Sequence, residues 1–126
     1  MPAKKSAADF ALVFARLRKI LAAHAARLVV VHDQPDHYCL NTTRVHPKNQ
    51  QPLMFAAVRT GKNYVSFHLM PVYCAPALQA SISPALKKRM QGKACFNFTA
   101  IDEPLFAELA GLTARGLKAF AMVGFA

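Results

Sequence analysis

Two histidines and two aspartates lie within six consecutive residues, and their side chains could together bind a metal ion. They are His32, Asp33, Asp36 and His37. Imidazole and carboxylate groups are ligands that divalent transition metals accept, and Cys39 or His46 could add another. The spacing matches no established ligand pattern, and the proline and aspartates between the histidines favour a solvent-exposed turn. The turn is the preferred interpretation, and a divalent-metal site formed by His32, Asp36 and His37 is the alternative.

Polar residues also occupy alternate positions of three predicted strands, which would place them on one face of a sheet. The apolar positions of these strands are Leu40, Val65, Phe67, Phe96 and Phe98. The opposite face would present Cys39, Asn41, Tyr64, Ser66, His68, Cys95 and Asn97. Such a surface predicts a platform for a ligand or a partner protein, and its binding residues would be Asn41, Tyr64, Ser66, His68 and Asn97. The alternative is the ordinary solvated side of a half-buried antiparallel sheet.

Ser66 and His68 do not by themselves indicate a hydrolase. The sequence around Ser66 has no nucleophile-elbow glycines, and no nearby acidic residue is available to orient the imidazole of His68. We therefore expect a non-enzymatic protein. No cofactor is indicated apart from the divalent metal ion considered above.

The apolar periodicity predicts the elements that must position these residues. Ser6 and Asp9 predict a helix start, and apolar residues over 10–21 then recur every three or four positions. Residues 28–31 fit either the end of this helix or a first strand, and residues 32–37 are predicted as the turn. The amphipathic helix would bury one stripe of side chains against the sheet.

The rest of the chain alternates between strand and helix patterns. The predicted elements are a strand over 38–43, a hairpin of 53–59 and 64–70, a loop over 70–77, helical pieces over 76–80 and 83–90, a strand over 94–99 and a helix from Asp102. Gly61 permits the tight reversal of the hairpin, and Pro71 ends its second strand because proline cannot donate to a ladder. Gly111 and Gly116 predict a break of the last helix near Thr113.

These elements predict one α+β domain over residues 1–126. Its architecture would be a two-layer sandwich, in which the N- and C-terminal helices cover one face of an antiparallel sheet. The chain has 126 residues, which is the usual size of a single domain. Its content of 54% hydrophobic and 17% charged residues is typical of a globular protein and excludes a disordered tail.

Two segments of the chain contain turns that end or begin a strand. In residues 62–71 a strand ends in a proline turn, and in residues 90–98 a Gly-Lys turn leads into the final strand, before the helix from Asp102. These segments resemble the YdhG-like domain family, whose function is unknown. The resemblance covers roughly residues 6–122. It implies a fold similar to that of frataxin. It also implies metal or protein binding, since some relatives are regarded as iron chaperones.

The predicted first helix departs from the acidic surface on which frataxin-type iron binding depends. Its only acidic residue is Asp9, and its basic residues include Arg16, Arg18 and Lys19. Positive charges repel ferrous and ferric ions. The resemblance therefore implies the fold more strongly than an iron chaperone, which is kept as an alternative function.

The charge balance of the whole chain is strongly basic. Sixteen Lys and Arg residues against six Asp and Glu residues give a formal net charge of +10. This balance suits an anionic partner such as nucleic acid, and it argues against a calcium cage. Lys87, Lys88, Arg89 and Lys93 form the tightest cluster, but no helix-turn-helix or RNA-recognition motif accompanies it. Nonspecific nucleic-acid binding is therefore a further alternative.

The cysteines and the hydropathy pattern bear on the compartment. Cys39, Cys74 and Cys95 form no Cys-x-x-Cys pair, which favours reduced thiols over a disulfide framework or a zinc knuckle. No secretory signal or membrane-length apolar stretch is predicted. We expect a cytoplasmic protein without a membrane partner. The leading hypothesis is a small binding domain that uses the open sheet face and the loop over 70–77 for a small ligand, a metal or a protein.

Overall fold

A five-stranded antiparallel sheet carries two long helices on one face in the computed structural model, which describes residues 7–45, 52–92 and 94–122. The helices are α1 (Ala7–Ala22), α2 (Met70–Cys74), α3 (Pro76–Ala80), α4 (Pro84–Lys87) and α5 (Glu103–Met122), with a 3₁₀ turn at Ala25–Arg27. The strands are β1 (Val29–Gln34), β2 (His37–Val45), β3 (Pro52–Thr60), β4 (Val65–Leu69) and β5 (Cys95–Phe98). Their order in the sheet is their order in the sequence. The predicted two-layer α+β sandwich is confirmed.

The core lies between this sheet and the two long helices. The five residues predicted to face it are all buried, namely Leu40, Val65, Phe67, Phe96 and Phe98. Eight of the nine phenylalanines of the chain belong to this core. The rings of Phe55 and Phe120 meet edge to face with centroids 5.9 Å apart, which is a favourable arrangement for an aromatic pair. The sheet is thus apolar on one side only.

Arginines of α1 attach this helix to its neighbours. The guanidinium of Arg18 bonds to both carboxylate oxygens of Asp33 in β1, at 3.0 and 3.2 Å, and lies 4.5 Å from the ring centroid of Tyr38 in β2. Arg16 pairs with Glu103 at the start of α5. The positive charge of α1 is therefore partly neutralised within the fold.

The turn predicted over residues 32–37 is shorter in the structure. Val29, Val30 and Val31 form the first half of β1, and His32, Asp33 and Gln34 form its second half by pairing with Cys39, Tyr38 and His37 of β2. Only Pro35 and Asp36 remain as the turn. The ladder shifts register between Val30 and His32, so that β1 contains a bulge. This bulge determines which face of the sheet His32 occupies.

The loop predicted over residues 70–77 is instead helical. Helix α2 begins at Met70 directly after β4, and Pro71 occupies its first turn, where its missing N–H costs nothing. Val72 anchors α2 in the core. The Ser83 hydroxyl caps α4 by accepting a hydrogen bond from the Leu86 N–H.

Helix α5 is continuous, so the predicted break near Thr113 was wrong. The buried hydroxyl of Thr113 donates to the Leu109 carbonyl at 2.7 Å, which satisfies it without interrupting the helix. Gly116 serves close packing instead, since a Cβ there would lie 3.0 Å from the Cβ of Pro71 in α2.

Among the described residues, no helix combines the length and the apolar character needed to cross a membrane.

Candidate ligand site on the open sheet face

Two rows of side chains cross the face of the sheet opposite α1 and α5, with one residue from each strand in each row. The first row is His32, Cys39, Ala57, His68 and Cys95. The second row is Gln34, His37, Arg59, Ser66 and Asn97. Residues directly opposite each other on antiparallel strands have Cβ atoms about 4.5–5.5 Å apart. We call these ten residues, with Asn41 and Tyr64 at their margins, the open face.

A hydrogen-bond network joins the side chains of four predicted binding residues, either directly or through Gln91 or Cys95. Ser66 donates to the side-chain carbonyl of Asn97 at 2.9 Å, and the Asn97 amide donates to Gln91 at 2.9 Å. The Tyr64 hydroxyl donates to the same Gln91 oxygen at 3.3 Å. His68 joins through Cys95, whose thiol also donates to Asn97 at 3.4 Å. The structure therefore brings Tyr64, Ser66, His68 and Asn97 together.

Asn41 lies apart from this network. It is on β2, and its side-chain oxygen is 3.9 Å from the thiol of Cys39, which is two positions earlier on the same strand. Cys39 belongs to the first row but is buried. Asn41 therefore lies on the predicted face, and within the described part of the chain no hydrogen bond joins its side chain to the other predicted binding residues.

The pKa shifts of the Cys95 thiol and the His68 imidazole both favour the neutral form of the group. Their Sγ and Nε2 atoms are 3.9 Å apart. Burial raises the pKa of the Cys95 thiol, and burial followed by the charge of Arg59 lowers the pKa of His68. A reactive cysteine needs the thiolate, which a cationic neighbour would favour. The geometry thus fits a hydrogen-bonding surface better than an activated nucleophile.

The residues predicted as a metal site are only partly brought together. The rings of His32 and His37 stack with centroids 4.4 Å apart and planes at 17°. Burial lowers the pKa of His37, as do the charges of His32 and Arg59, and Asp36 opposes them. The described residues contain no group of three His, Cys, Asp or Glu side chains able to hold one metal ion. His46, the additional ligand considered from the sequence, lies outside the described residues.

Arg59 is a central residue of the open face that the sequence reasoning missed. It lies directly between His37 of β2 and Ser66 of β4, and its side chain is exposed. No carboxylate among the described residues forms an ion pair with it. No clear signal in the sequence assigned its face, because residues 54–58 before it are all apolar and do not alternate.

A cleft beside the open face is lined in part by Tyr73, which belongs to the segment predicted as a loop. Its volume is about 520 Å³, within the range of small-molecule sites. Its lining residues are Tyr73, Gln79, Ile82, Lys87, Met90 and Gly92. Gln91 follows Met90 and reaches back to the open face, so the cleft and the polar network share one short segment.

The basic cluster predicted near α4 is exposed. Lys87, Lys88 and Arg89 all face solvent, and Lys93 lies outside the described residues. Within the described part of the chain, no acidic side chain forms an ion pair with them. Lys87 lines the cleft, whereas Lys88 and Arg89 line a separate groove together with Asp102.

The chain was compared with family models, with curated proteins and with solved structures. No family model matches it, and neither a curated protein nor a solved structure gives a significant match.

Proposed function

We propose that this protein is a non-enzymatic binding domain that binds a small anionic ligand, carrying a carboxylate or a phosphate group, on its open face. The observation that carries the proposal is the composition of the two rows around Arg59. Among their ten residues are one arginine, three histidines and no carboxylate. An anion approaching the two rows meets hydrogen-bond donors and no carboxylate within them, and the negative charge of Asp36 lies beside His37 at the end of the second row.

The position of Arg59 supports anion binding by its geometry. A guanidinium presents a planar fork of N–H groups that matches carboxylate and phosphate oxygens in a bidentate manner. His37 and Ser66 are its direct neighbours across β2 and β4. A His37 ring N–H can donate to an oxygen held by the guanidinium, whereas the single Ser66 O–H is already donated to Asn97. Arg59 and His37 thus offer several converging donors over a short distance.

The polar network supports the proposal by fixing part of the site in advance. Asn97 bonds simultaneously to Ser66 and Gln91, and Gln91 also bonds to Tyr64. Side chains that are ordered before binding lose less conformational entropy when the ligand arrives. The site is therefore organised on neighbouring strands of one sheet, with Arg59 exposed at its centre.

Membership of the YdhG-like family is part of the same proposal, and it is supported by the resemblance of residues 62–71 and 90–98. The iron-chaperone alternative gains nothing from the open face, because its histidines are accompanied by Arg59 and not by carboxylates. A nucleic-acid partner would involve the exposed cluster at Lys87, Lys88 and Arg89, which lies elsewhere on the surface.

The test is an NMR titration of the isotope-labelled protein with inorganic phosphate, acetate and succinate, alongside glycerol as an uncharged probe. We expect the anions to shift the amide resonances of residues 37, 59, 66 and 97. Replacement of Arg59 by Gln should weaken binding about ten- to a hundredfold, because a hydrogen bond to a charged group contributes roughly 1.5–3 kcal/mol. Arg115→Gln is the matched control, since Arg115 is an exposed arginine on α5.

The proposal is wrong if anions leave the open-face resonances unchanged, or if the Arg59→Gln and Arg115→Gln proteins bind them equally well. Shifts confined to residues 87–89 would point to the basic cluster instead. A titration with zinc that shifts residues 32, 36 and 37 while the anions shift none would favour the metal alternative.

A further inference from the structure

The cleft of about 520 Å³ lies at the edge of the sheet, where the segment after α4 runs beside β5. Of its lining residues, Ile82 is buried in the core and Met90 is half-buried against it. Tyr73 and Lys87 are exposed, and more than half of the Tyr73 surface (56%) is open to solvent. The inner surface of the cleft is therefore apolar, and its outer surface carries an aromatic ring and a positive charge.

Contacts with the rest of the fold hold both sides of the cleft in place. On one side, the side-chain amide of Gln79 in α3 donates to the carbonyls of Val72 and Tyr73 in α2, at 2.8 and 3.4 Å. On the other side, Met90 forms a bridge with Phe96 of β5. A site that is formed before its ligand arrives loses less conformational entropy on binding.

The hydrogen bonds of Gln79 also determine which group it offers to a ligand. Its amide nitrogen donates to two backbone carbonyls, which leaves Oε1 as the atom able to bind a ligand. Within the described residues, Oε1 accepts no hydrogen bond. A side-chain amide oxygen is an acceptor only. Gln79 therefore favours a ligand that carries a hydrogen-bond donor.

The other lining residues favour an aromatic ring and a negative charge. Tyr73 and Met90 suit a ring, because aromatic rings pair well with one another and with a thioether sulfur. In the described part of the chain, no carboxylate lines the cleft or forms an ion pair with Lys87. The ammonium group of Lys87 is therefore available to a carboxylate of the ligand.

We propose that this cleft binds a small aromatic carboxylic acid whose ring carries a hydroxyl or an N–H group. The ring packs against Tyr73, Met90 and Ile82. The carboxylate pairs with Lys87, and the donor on the ring bonds to Oε1 of Gln79. A purely apolar ligand would leave the charge of Lys87 and the acceptor of Gln79 unused, which is why an aromatic acid is the favoured occupant.

This site is separate from the open face and does not depend on anion binding there. None of the described residues that line the cleft belongs to the two rows around Arg59. The two sites also select by different chemistry. The open face offers donors to an anionic group, whereas the cleft adds apolar contacts and an acceptor.

The test is an NMR titration of the full chain with para-hydroxyphenylacetate. We expect the amide resonances of residues 73, 79, 82, 87 and 90 to shift, and NOE contacts to join the ring protons to the Met90 methyl group. The dissociation constant should be roughly 0.1–3 mM, which is ordinary for a ligand of this size in an open cleft. Phenylacetate lacks the hydroxyl and should bind about three- to tenfold more weakly, the effect of one hydrogen bond. Tyramine carries an ammonium group in place of the carboxylate and should not bind.

Two lysine variants test the role of the charge. Lys87→Gln should weaken binding about three- to tenfold, between the effects of an exposed ion pair and of a hydrogen bond to a charged group. Lys88→Gln is the matched control, because Lys88 is the next exposed lysine and lines a separate groove. It should bind like the native chain, and circular dichroism should show that both variants fold.

Several outcomes would overturn the proposal. They are an absence of saturable shifts around the cleft, equal affinities of Lys87→Gln and Lys88→Gln, and binding of tyramine as tight as that of the acid. Equal binding of phenylacetate would overturn the role of Gln79. Arg59→Gln should bind the aromatic acid normally while it loses phosphate and acetate, so that the two sites can fail independently. A loss of the aromatic acid in Arg59→Gln would place it on the open face and refute the cleft.

Discussion

A carboxylate of α5 attaches the short helices to the rest of the fold, and its removal should be costly. Glu108 accepts hydrogen bonds from the Ser83 N–H at 2.8 Å and from the Ser83 hydroxyl at 2.6 Å. The same hydroxyl accepts from the Leu86 N–H as the cap of α4. One acidic side chain thus positions the start of α4, and α4 leads directly to Met90 and Gln91 at the edge of the binding surface.

The magnitude follows from these bonds. A hydrogen bond to a charged group contributes about 1.5–3 kcal/mol, and a helix cap about 1 kcal/mol. Both Glu108 and Ser83 are half-buried, so water can bond to the groups left unpaired and offset part of the lost free energy. We expect Glu108→Ala to lower the free energy of unfolding by about 2–3 kcal/mol. The isosteric Glu108→Gln should lose about half as much, because its amide oxygen still accepts one bond.

Urea unfolding of a double-mutant cycle measures this interaction. The single variants Ser83→Ala and Glu108→Ala, with the double variant, should give a coupling free energy of about 1–2 kcal/mol. Glu103→Ala is the control on the same helix and should cost clearly less, since it removes only an exposed ion pair. A coupling below about 0.3 kcal/mol, or equal losses for Glu103→Ala and Glu108→Ala, would refute the reasoning.

Two further predictions concern titration and helix packing. Burial holds the pKa of His37 and His68 below the ordinary imidazole value. At a pH between the folded-state and unfolded-state pKa values the unfolded chain therefore binds more protons, and the unfolding free energy should fall as the pH drops below about 6.5. His68→Gln should flatten this dependence in urea titrations from pH 5 to 8. Gly111→Ala should raise the unfolding free energy by about 0.5–1 kcal/mol, because nothing lies near its added methyl group. Gly116→Ala should leave the unfolding free energy unchanged or lower it, because its methyl group would collide with Pro71. Equal effects of the two alanines would contradict the packing argument.

The sequence was sufficient for the faces of β4 and β5, because their apolar and polar residues alternate strictly. Val65 and Phe67 are buried while Ser66 and His68 are not, as the pattern predicted. In β3 the alternation fails, since residues 54–58 are all apolar and neither face can be assigned. Arg59 was overlooked for this reason. The sequence pattern of a strand indicates which residues lie on which face of the sheet only where the two faces differ in polarity.

Other features depend on contacts that the local sequence does not contain. The bulge after Val30 moves His32 onto the open face, and a one-residue shift of this kind reverses the side of every residue that follows. Helix α2 was missed because its five residues are too few to show a period, and its stability comes from packing Val72 into the core. The stacking of His32 on His37 follows from the bulge, so it could not be predicted from the local sequence either.

The strict alternation along β4 and β5 has a consequence for how this protein could change over evolutionary time. The side chains that hold the fold together and those that face a ligand are different residues on the same strands, as Phe67 and His68 illustrate. Substitutions at Ser66, His68 or Asn97 therefore leave the aromatic core untouched. A lineage can exchange one ligand for another by altering a few such positions, and an engineer can diversify them together without first having to stabilise the scaffold.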